Sequence, residues 1–295
     1  MQARTTQGDT PWYELGRWAS HESSFRRTSA GGQADEAARV DVDVLVAGER
    51  PFRAYRLRVE PVSGARLLAL AAASAAPLRA GSRVPSEPLG RAVELDVPCL
   101  AQFPHRGHFP EYGGGGVSWC SPASLAMAIA FWGRGPTSAE LAWTGASHLD
   151  AQVDHAARGT YDAAYGGCGN WSFGAAYAAS FGLDAVVVWL ASLRDVENLL
   201  AQGVPVIVSL AAAPGELPGF ALPEGTEGHL VVVRGVTAGG EVVVNDPAAE
   251  GNEDVRRVYP RAPFERAWLA GSGGAAIVVR AAGARGESPR GSSVR

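Results

Sequence analysis

Two stretches in the first quarter of the chain alternate between apolar and polar residues. Val40-Asp41-Val42-Asp43-Val44-Leu45-Val46 does so in part and Phe52-Arg53-Ala54-Tyr55-Arg56-Leu57-Arg58-Val59-Glu60 throughout. A period of two predicts half-buried strands, and Gly48-Glu49-Arg50-Pro51 between them predicts a hairpin loop. A strand or helix is expected at Arg66–Ala76. Pro77, Gly81, Pro85 and Pro88 then give a linker-like stretch.

Beyond Leu89 the pattern changes. Val93–Pro98 is strand-like, and Leu125, Ala126, Ile129, Ala130 and Trp132 recur with helical spacing up to Gly133. Ser138–Thr144 predicts a short helix capped by Thr137 or Ser138. Residues 148–165 show no clear period and predict a long loop. A helix opens after Asn170 or Ser172 and closes at Gly182, and another runs from the cap Ser192 to Gly203. Asp184–Leu190 and Val204–Leu210 are continuous apolar runs, as buried strands require. Gly228–Val236 and Glu241–Asp246, joined by Thr237-Ala238-Gly239-Gly240, predict a hairpin. A short helix near Phe264–Leu269 and a strand at Ala275–Arg280 complete the pattern. Helices first and antiparallel strands later predict an α+β domain over 89–281. A smaller β-rich domain and linker are expected over 1–88, and a disordered Gly/Ser/Arg-rich tail over 282–295.

Composition narrows the function. A net charge of -4 provides no basic surface for nucleic acid, so no nucleic-acid partner is expected. The longest apolar run, Leu67–Leu78, is too short to cross a bilayer. Met1–Tyr13 lacks the charged and apolar regions of a signal peptide, so the chain reads as soluble: cytoplasmic as it stands, secreted if a leader was removed. Cys99, Cys120 and Cys168 have neither the pairing of a disulfide framework nor zinc-type spacing, and no metal or organic cofactor is expected.

One cysteine is different. Gly113-Gly114-Gly115-Gly116-Val117-Ser118-Trp119 delivers Cys120 to the start of a helix, with Pro122 in its first turn. Free N–H groups and the positive end of the helix dipole favour a thiolate there. A nucleophilic cysteine needs a base and the base needs an orienting acceptor. If Val236 faces Glu241 in the hairpin, Asp246 faces Val231 and lies diagonal to His229 on the same face, while Asn245 points away. A slip or a bulge would exchange the two, which makes Asn245 the reserve candidate. Gln102 stands 18 residues before Cys120, where its amide N–H and the Cys120 backbone N–H can serve a developing oxyanion. The glycine run suggests a mobile or close-approach loop, and stiffening it with alanine is expected to lower turnover more than stability.

Gln102, Ser118-Trp119-Cys120-Ser121-Pro122-Ala123-Ser124, Gly169-Asn170-Trp171, Gly228–Gly235 and Val244-Asn245-Asp246-Pro247, in this order, resemble the papain-like fold of cysteine peptidase family thirty-nine. That family includes the bacteriocin leader peptidases. The chain is closer to its stand-alone bacterial branch, which carries an N-terminal β-rich domain. The resemblance covers roughly Leu89 to Arg280 and implies Cys120 as nucleophile, His229 as general acid/base, Asp246 as its orienting group and Gln102 in the oxyanion hole. It implies a peptide or protein substrate. No transporter segment follows in this sequence, so the double-glycine leader specificity does not carry over. Asn170 and Trp171 read as a helix cap and packing. Hydrolysis of peptide bonds is the expected activity; acyl transfer or transpeptidation by the same residues, and a peptide-binding module without chemistry, are the alternatives.

Overall fold

The computed structural model describes all residues except 22–24, 63, 66, 68, 69, 76–84, 146, 147 and 284–295. The expected tail from 284 onward and part of the expected element at 66–76 lie outside the described residues.

The N-terminal quarter is built from short antiparallel pieces. Strand β1 (Gln2–Thr5) pairs with β2 (Gly8–Asp9) and with β7 (Ala54–Arg56). Strands β3 (Gly16–Arg17) and β4 (Thr28–Ser29) form a second pair, and β5 (Ala38–Asp41) and β6 (Val44–Ala47) a third. The expected strand at 40–46 is therefore a hairpin. Val42 adopts a left-handed φ of 52° and reverses the chain, so Val40 faces Leu45. The strand expected over 52–60 shortens to β7, whose partner is β1 instead of the preceding strand, so Gly48–Pro51 is a crossing between sheets. A small core of Tyr13, Ala38 and Val40 holds the unit together.

The larger part is a sheet in the order β13-β12-β11-β10-β14-β9, with β8 (Val93–Glu94) pairing the far end of β11. Its members are β9 (Leu183–Trp189), β10 (Val206–Ala212), β11 (Thr226–Val236), β12 (Val242–Asn245), β13 (Arg256–Tyr259) and β14 (Ala275–Ala281). All its pairings are antiparallel. Helices α1 (Cys120–Phe131), α2 (Ser138–Leu141), α3 (Ala151–Thr160), α4 (Trp171–Ser180), α5 (Leu193–Leu200) and α6 (Arg261–Ser272) complete the domain. The architecture is α+β of the papain-like type.

Both sheet faces are covered, which is why its central strands read as unbroken apolar runs. Ile207, Leu230, Val232 and Ile277 bury against Leu125, Ile129 and Ala178 of α1 and α4. Val206, Val208, Val231 and Val233 bury on the other face with Val196 and Leu200 of α5 and Phe264 and Trp268 of α6. Two elements differ from the expected pattern. Residues 148–165 contain α3, whose buried residues are small or polar: Val153, Asp154, Ala156, Ala157, Gly159 and Thr160. Strand β13 was not expected, because an edge strand reading Arg-Arg-Val-Tyr carries little hydrophobic signal.

The N-terminal pieces dock on the α3–α4 region. The Ser29 backbone N–H donates to the buried Asp162 carboxylate (2.9 Å) and the Ser172 N–H donates to Asp43 (2.9 Å). Arg27 reaches the Arg158 carbonyl. At the other side, Ser86 and Leu89 donate backbone N–H groups to Glu265 and Glu197, so this stretch is anchored to α6 and α5.

Candidate active site

Helix α1 begins at Cys120 because Trp119 fixes the chain just before it. Trp119 is fully buried, and its indole N–H donates to the Tyr112 carbonyl (2.8 Å). Pro122 in the first turn has no N–H to lose, which leaves the N–H groups of Cys120 and Ser121 facing outward. The Ser124 hydroxyl donates to the Leu230 carbonyl (3.1 Å) and pins the helix to β11 beside His229.

Cys120 is partly exposed, and its thiol interacts electrostatically with the His229 imidazole. His229 Nε2 lies 2.7 Å from Asp246 Oδ1, so Nδ1 is the nitrogen left for the thiol. Asp246 is completely buried. Its Oδ1 also accepts from the Ala248 N–H (3.0 Å), and its Oδ2 accepts from the Tyr259 hydroxyl (2.7 Å). Phe220 meets the His229 ring edge-on, with centroids 5.9 Å apart. Tyr259 and Phe220 were not singled out in the sequence; Tyr259 lies on the unforeseen strand β13, and only its two-residue alternation with Arg257 hints at burial.

The electrostatics follow from these contacts. Burial alone would raise the Cys120 thiol, but the hydrogen bond and charge of His229, with the Leu230 and Ser121 N–H groups, hold it below the ordinary value. Burial alone would lower His229. The Asp246 charge and hydrogen bond outweigh it, and with the Cys120 bond push His229 up to about 10. Burial would raise Asp246, yet the charge and hydrogen bond of His229 and the bonds from Tyr259 and Ala248 hold it below the usual carboxylate range. A lowered thiol beside a raised imidazole favours the thiolate–imidazolium form of the pair. Cys168 contrasts with it: buried under α3, its thiol is pushed up to about 12.

Asn245 is not beside His229. Its amide donates to the Val97 and Pro98 carbonyls, and its oxygen accepts from the buried Arg234 guanidinium (3.0 Å). The hairpin reaches this arrangement by two compensating departures. Val236 faces Val242 instead of Glu241, a slip of one residue. A bulge at Arg234 then restores the register, so Val233 faces Val244 and Val232 faces Asn245. The carboxylate therefore arrives at His229 and the amide does not.

Gln102 is buried at the head of a short 3-10 turn, Phe103–His105. Its backbone N–H donates to the Pro247 carbonyl (2.8 Å), which ties it to the residue after Asp246. Its Nε2 donates one hydrogen to the Val117 carbonyl (2.9 Å), and its second N–H stays available. Asn170 caps α4 by accepting from the Phe173 N–H and donates to Asp162 (3.0 Å each).

The glycine run earns its composition by close approach. A Cβ on Gly116 would run into the Gln102 carbonyl oxygen and the backbone of His105 and Arg106. Gly113, Gly114 and Gly115 all have positive φ, at 84°, 94° and 73°. Alanine here therefore carries a stability cost of its own beside the expected effect on turnover. Gly116→Ala is expected to lower unfolding stability by about 1–3 kcal/mol through overpacking; an unchanged urea midpoint would refute the close-approach reading.

Three of the six histidines were not anticipated as a group. His105 Nδ1 lies 3.1 Å from Asp154 Oδ2, His108 Nδ1 lies 2.9 Å from Asp154 Oδ1, and His148 Nδ1 lies 3.9 Å from Oδ2. Cysteine spacing carries no trace of such a cluster.

A helix-start thiol packed against an antiparallel sheet that presents a histidine defines a papain-like, cysteine-peptidase-type fold. The chain belongs to the Peptidase_C39 like family, which it matches over residues 94–276, more than half of its length. Residues 1–67 match the Peptidase C39 N-terminal domain. No curated protein matches the chain. Among solved structures, one from Bacillus anthracis described as a C39-like peptidase is 18% identical, with a TM-score of 0.40, and covers 64% of this chain and 97% of that one. The prointerpain A fragment of Prevotella intermedia is 16% identical, with a TM-score of 0.39, covering 67% of this chain and 73% of its own. Digestive procathepsin L 3 of Tenebrio molitor larval midgut is 14% identical, with a TM-score of 0.34 and the same two coverages. Among the described residues no helix is long and apolar enough to cross a membrane.

Proposed function

We propose that the chain is a peptide-bond hydrolase with Cys120 as nucleophile, His229 as general acid/base, Asp246 as its orienting group and Gln102 as oxyanion donor. The observation that carries this reading is His229 itself: one nitrogen held by a buried carboxylate at 2.7 Å, and a ring whose charge acts on a helix-start thiol. The Cys120 thiolate attacks the peptide carbonyl, and the oxyanion takes the second Gln102 N–H and the Cys120 backbone N–H. His229 Nδ1 gives its proton to the leaving amine as the C–N bond breaks, leaving a thioester. Water then loses a proton to the same nitrogen, attacks the thioester, and the C–S bond breaks to restore the thiolate. Residues 1–88 are assigned a bracing role, supported by their bonds to Asp162 and to α4.

The test is a peptide-substrate screen read by mass spectrometry of the products, with Cys120→Ala as the control. New carboxyl and amino termini that depend on Cys120 support the reading. Products formed only when an amine is supplied would replace hydrolysis by acyl transfer, and turnover that survives Cys120→Ala would end it. Gln102→Ala is expected to lower kcat by about 10²–10³ with little change in KM; a loss confined to KM would remove Gln102 from the oxyanion site.

A further inference from the structure

The N-terminal pieces grip the segment that joins α3 to α4. The Ala163 N–H donates to the Arg27 carbonyl (3.1 Å), and the Ser29 N–H donates to Asp162 Oδ1 (2.9 Å). The Arg26 guanidinium lies over the Tyr161 ring, 5.6 Å from its centroid. Asp43 accepts the Ser172 N–H (2.9 Å), a free donor in the first turn of α4 that the Asn170 cap does not take.

Asp162 turns this grip into a fixed shape. It is completely buried. Its Oδ1 also accepts the backbone N–H groups of Ala164 (3.1 Å) and Tyr165 (3.3 Å), and its Oδ2 accepts from the Asn170 amide (3.0 Å). Its own N–H donates to the Gly167 carbonyl (2.9 Å), and its carbonyl accepts from the Gly166 N–H (2.8 Å). One carboxylate thus ties strand β4, the turn at 162–167 and the cap of α4 together.

The turn abuts the approach to the nucleophile. A Cβ on Gly113 would lie 3.1 Å from Gly167 Cα. The Tyr112 carbonyl accepts from the Trp119 indole (2.8 Å) and from the Cys168 thiol (3.5 Å), so the residue before Cys120 and the residue after Gly167 share one anchor. Tyr165, in the turn, stays 53% exposed. Neither Gly167 nor Gly169 has the positive φ that calls for glycine. A Cβ at either would lie 3.0 Å from the Tyr165 side chain, tighter than ordinary contact. Two side chains are therefore given up to seat one exposed ring. Burial and then the charge of Cys120 raise the Tyr165 hydroxyl, which puts the ring within electrostatic reach of the nucleophile. A ring already fixed in place meets an apolar partner at little entropic cost.

We propose that Asp162 is a positioning residue for the substrate: through it the N-terminal domain sets the turn whose Tyr165 ring receives a large apolar side chain of the peptide beside Cys120. The role rests on Cys120 being a peptidase-type nucleophile, and it gives residues 1–67 a part in substrate binding beyond bracing.

The test separates peptide binding from thiol activation. Cys120 of the full chain is labelled with iodoacetamide, which needs only the thiolate, and with tripeptidyl chloromethyl ketones bearing leucine or phenylalanine, which need the thiolate and a bound peptide. Tyr165→Ala should raise the half-saturating concentration of the peptidyl reagent about tenfold, with its limiting rate and the iodoacetamide rate unchanged. Tyr165→Phe should keep the wild-type value. Asp43→Ala and Asp162→Asn should raise the same concentration about threefold or more. Asp162→Asn alters a buried carboxylate and can unfold the chain. Asp43 is only partly buried, so Asp43→Ala, checked by circular dichroism, keeps the comparison with folded protein. Wild-type half-saturation in folded Asp43→Ala, whatever its urea midpoint, would mean that the contact only stabilises and would overturn the proposal. Wild-type half-saturation in Tyr165→Ala, or fast iodoacetamide labelling of the wild-type chain without saturation by any of the peptidyl reagents, would overturn it as well and leave the nucleophile standing. Iodoacetamide labelling of the wild-type chain at the rate of an ordinary thiol would instead remove the peptidase reading, and this role with it.

Discussion

Iodoacetamide should modify Cys120 at pH 6.5 faster in the native protein than in His229→Ala. An ordinary thiol, with a pKa near 8.5, is about 1% thiolate at that pH, and the lowered value of the paired thiol raises that fraction. The partner histidine supplies the hydrogen bond and charge that hold Cys120 down, and alanine removes both. Site-mapped mass spectrometry should also show Cys168 unmodified, since it is buried and its thiol is pushed up to about 12. The pH dependence follows with its sign. Below the lowered Cys120 value the thiolate is protonated and both alkylation and turnover fall. Turnover falls again as pH rises through about 10, where His229 loses the proton it must give to the leaving amine. Equal alkylation rates in the two proteins would mean that the imidazole does not activate the thiol. An alkylation midpoint near 8.5 in the native protein would show the same without any substitution.

The second large effect is on stability. Asp246→Ala is expected to cost about 3–5 kcal/mol, because it strands a buried imidazolium and the Tyr259 hydroxyl at once. Tyr259→Phe removes one neutral donor and should cost only about 1–2 kcal/mol. Urea unfolding of the two variants, followed by tryptophan fluorescence, gives both figures; a smaller loss in Asp246→Ala than in Tyr259→Phe would contradict the burial argument. The pair also sets a pH window. The contribution of Asp246, whose pKa is depressed on folding, is present above about pH 4 and is lost as pH falls through its folded value. The contribution of His229, whose pKa is raised, is complete below about pH 6.5 and is lost as pH rises towards 10. Between about pH 4 and 6.5 both act together.

The elements that were legible in the sequence are those whose signal is local and strong. Helix α1 is an apolar run buried all round from Ser121 to Ile129, with a proline in its first turn and a glycine beyond its end, and it begins at Cys120. The long strands β9, β10, β11 and β14 are buried on both faces and read as apolar runs. Where the signal was weak or mimicked another pattern, the reading departed from the structure. Val-Asp alternation at 40–46 has the period of one strand, but periodicity is blind to a chain reversal such as that at Val42. Helix α3 buries alanines and a glycine that lies against the Tyr177 ring, so its helical period is faint.

Asp246 shows how far register can be argued from a turn. A regular hairpin predicts Asp246 on the His229 face and Asn245 on the other, yet the real hairpin is shifted by one residue at its turn and brought back into that register by a bulge at Arg234. That bulge exists because the Arg234 guanidinium is held by the Leu95 and Val97 carbonyls and by the Asn245 side chain, contacts between segments more than 130 residues apart in two of the three cases.

The sequence by itself determined what depends on neighbours along the chain: a cysteine at a helix start, a histidine and a carboxylate on one hairpin, a glutamine upstream, and glycines where the backbone must turn. The tertiary structure alone decided the bulge that sets Asp246 and not Asn245 beside the imidazole, that Tyr259 donates to that carboxylate, that Gly116 lies against Gln102, and that three histidines surround Asp154. Side-chain direction along a strand or helix follows from local geometry, whereas the distance between remote segments is set by how the layers pack.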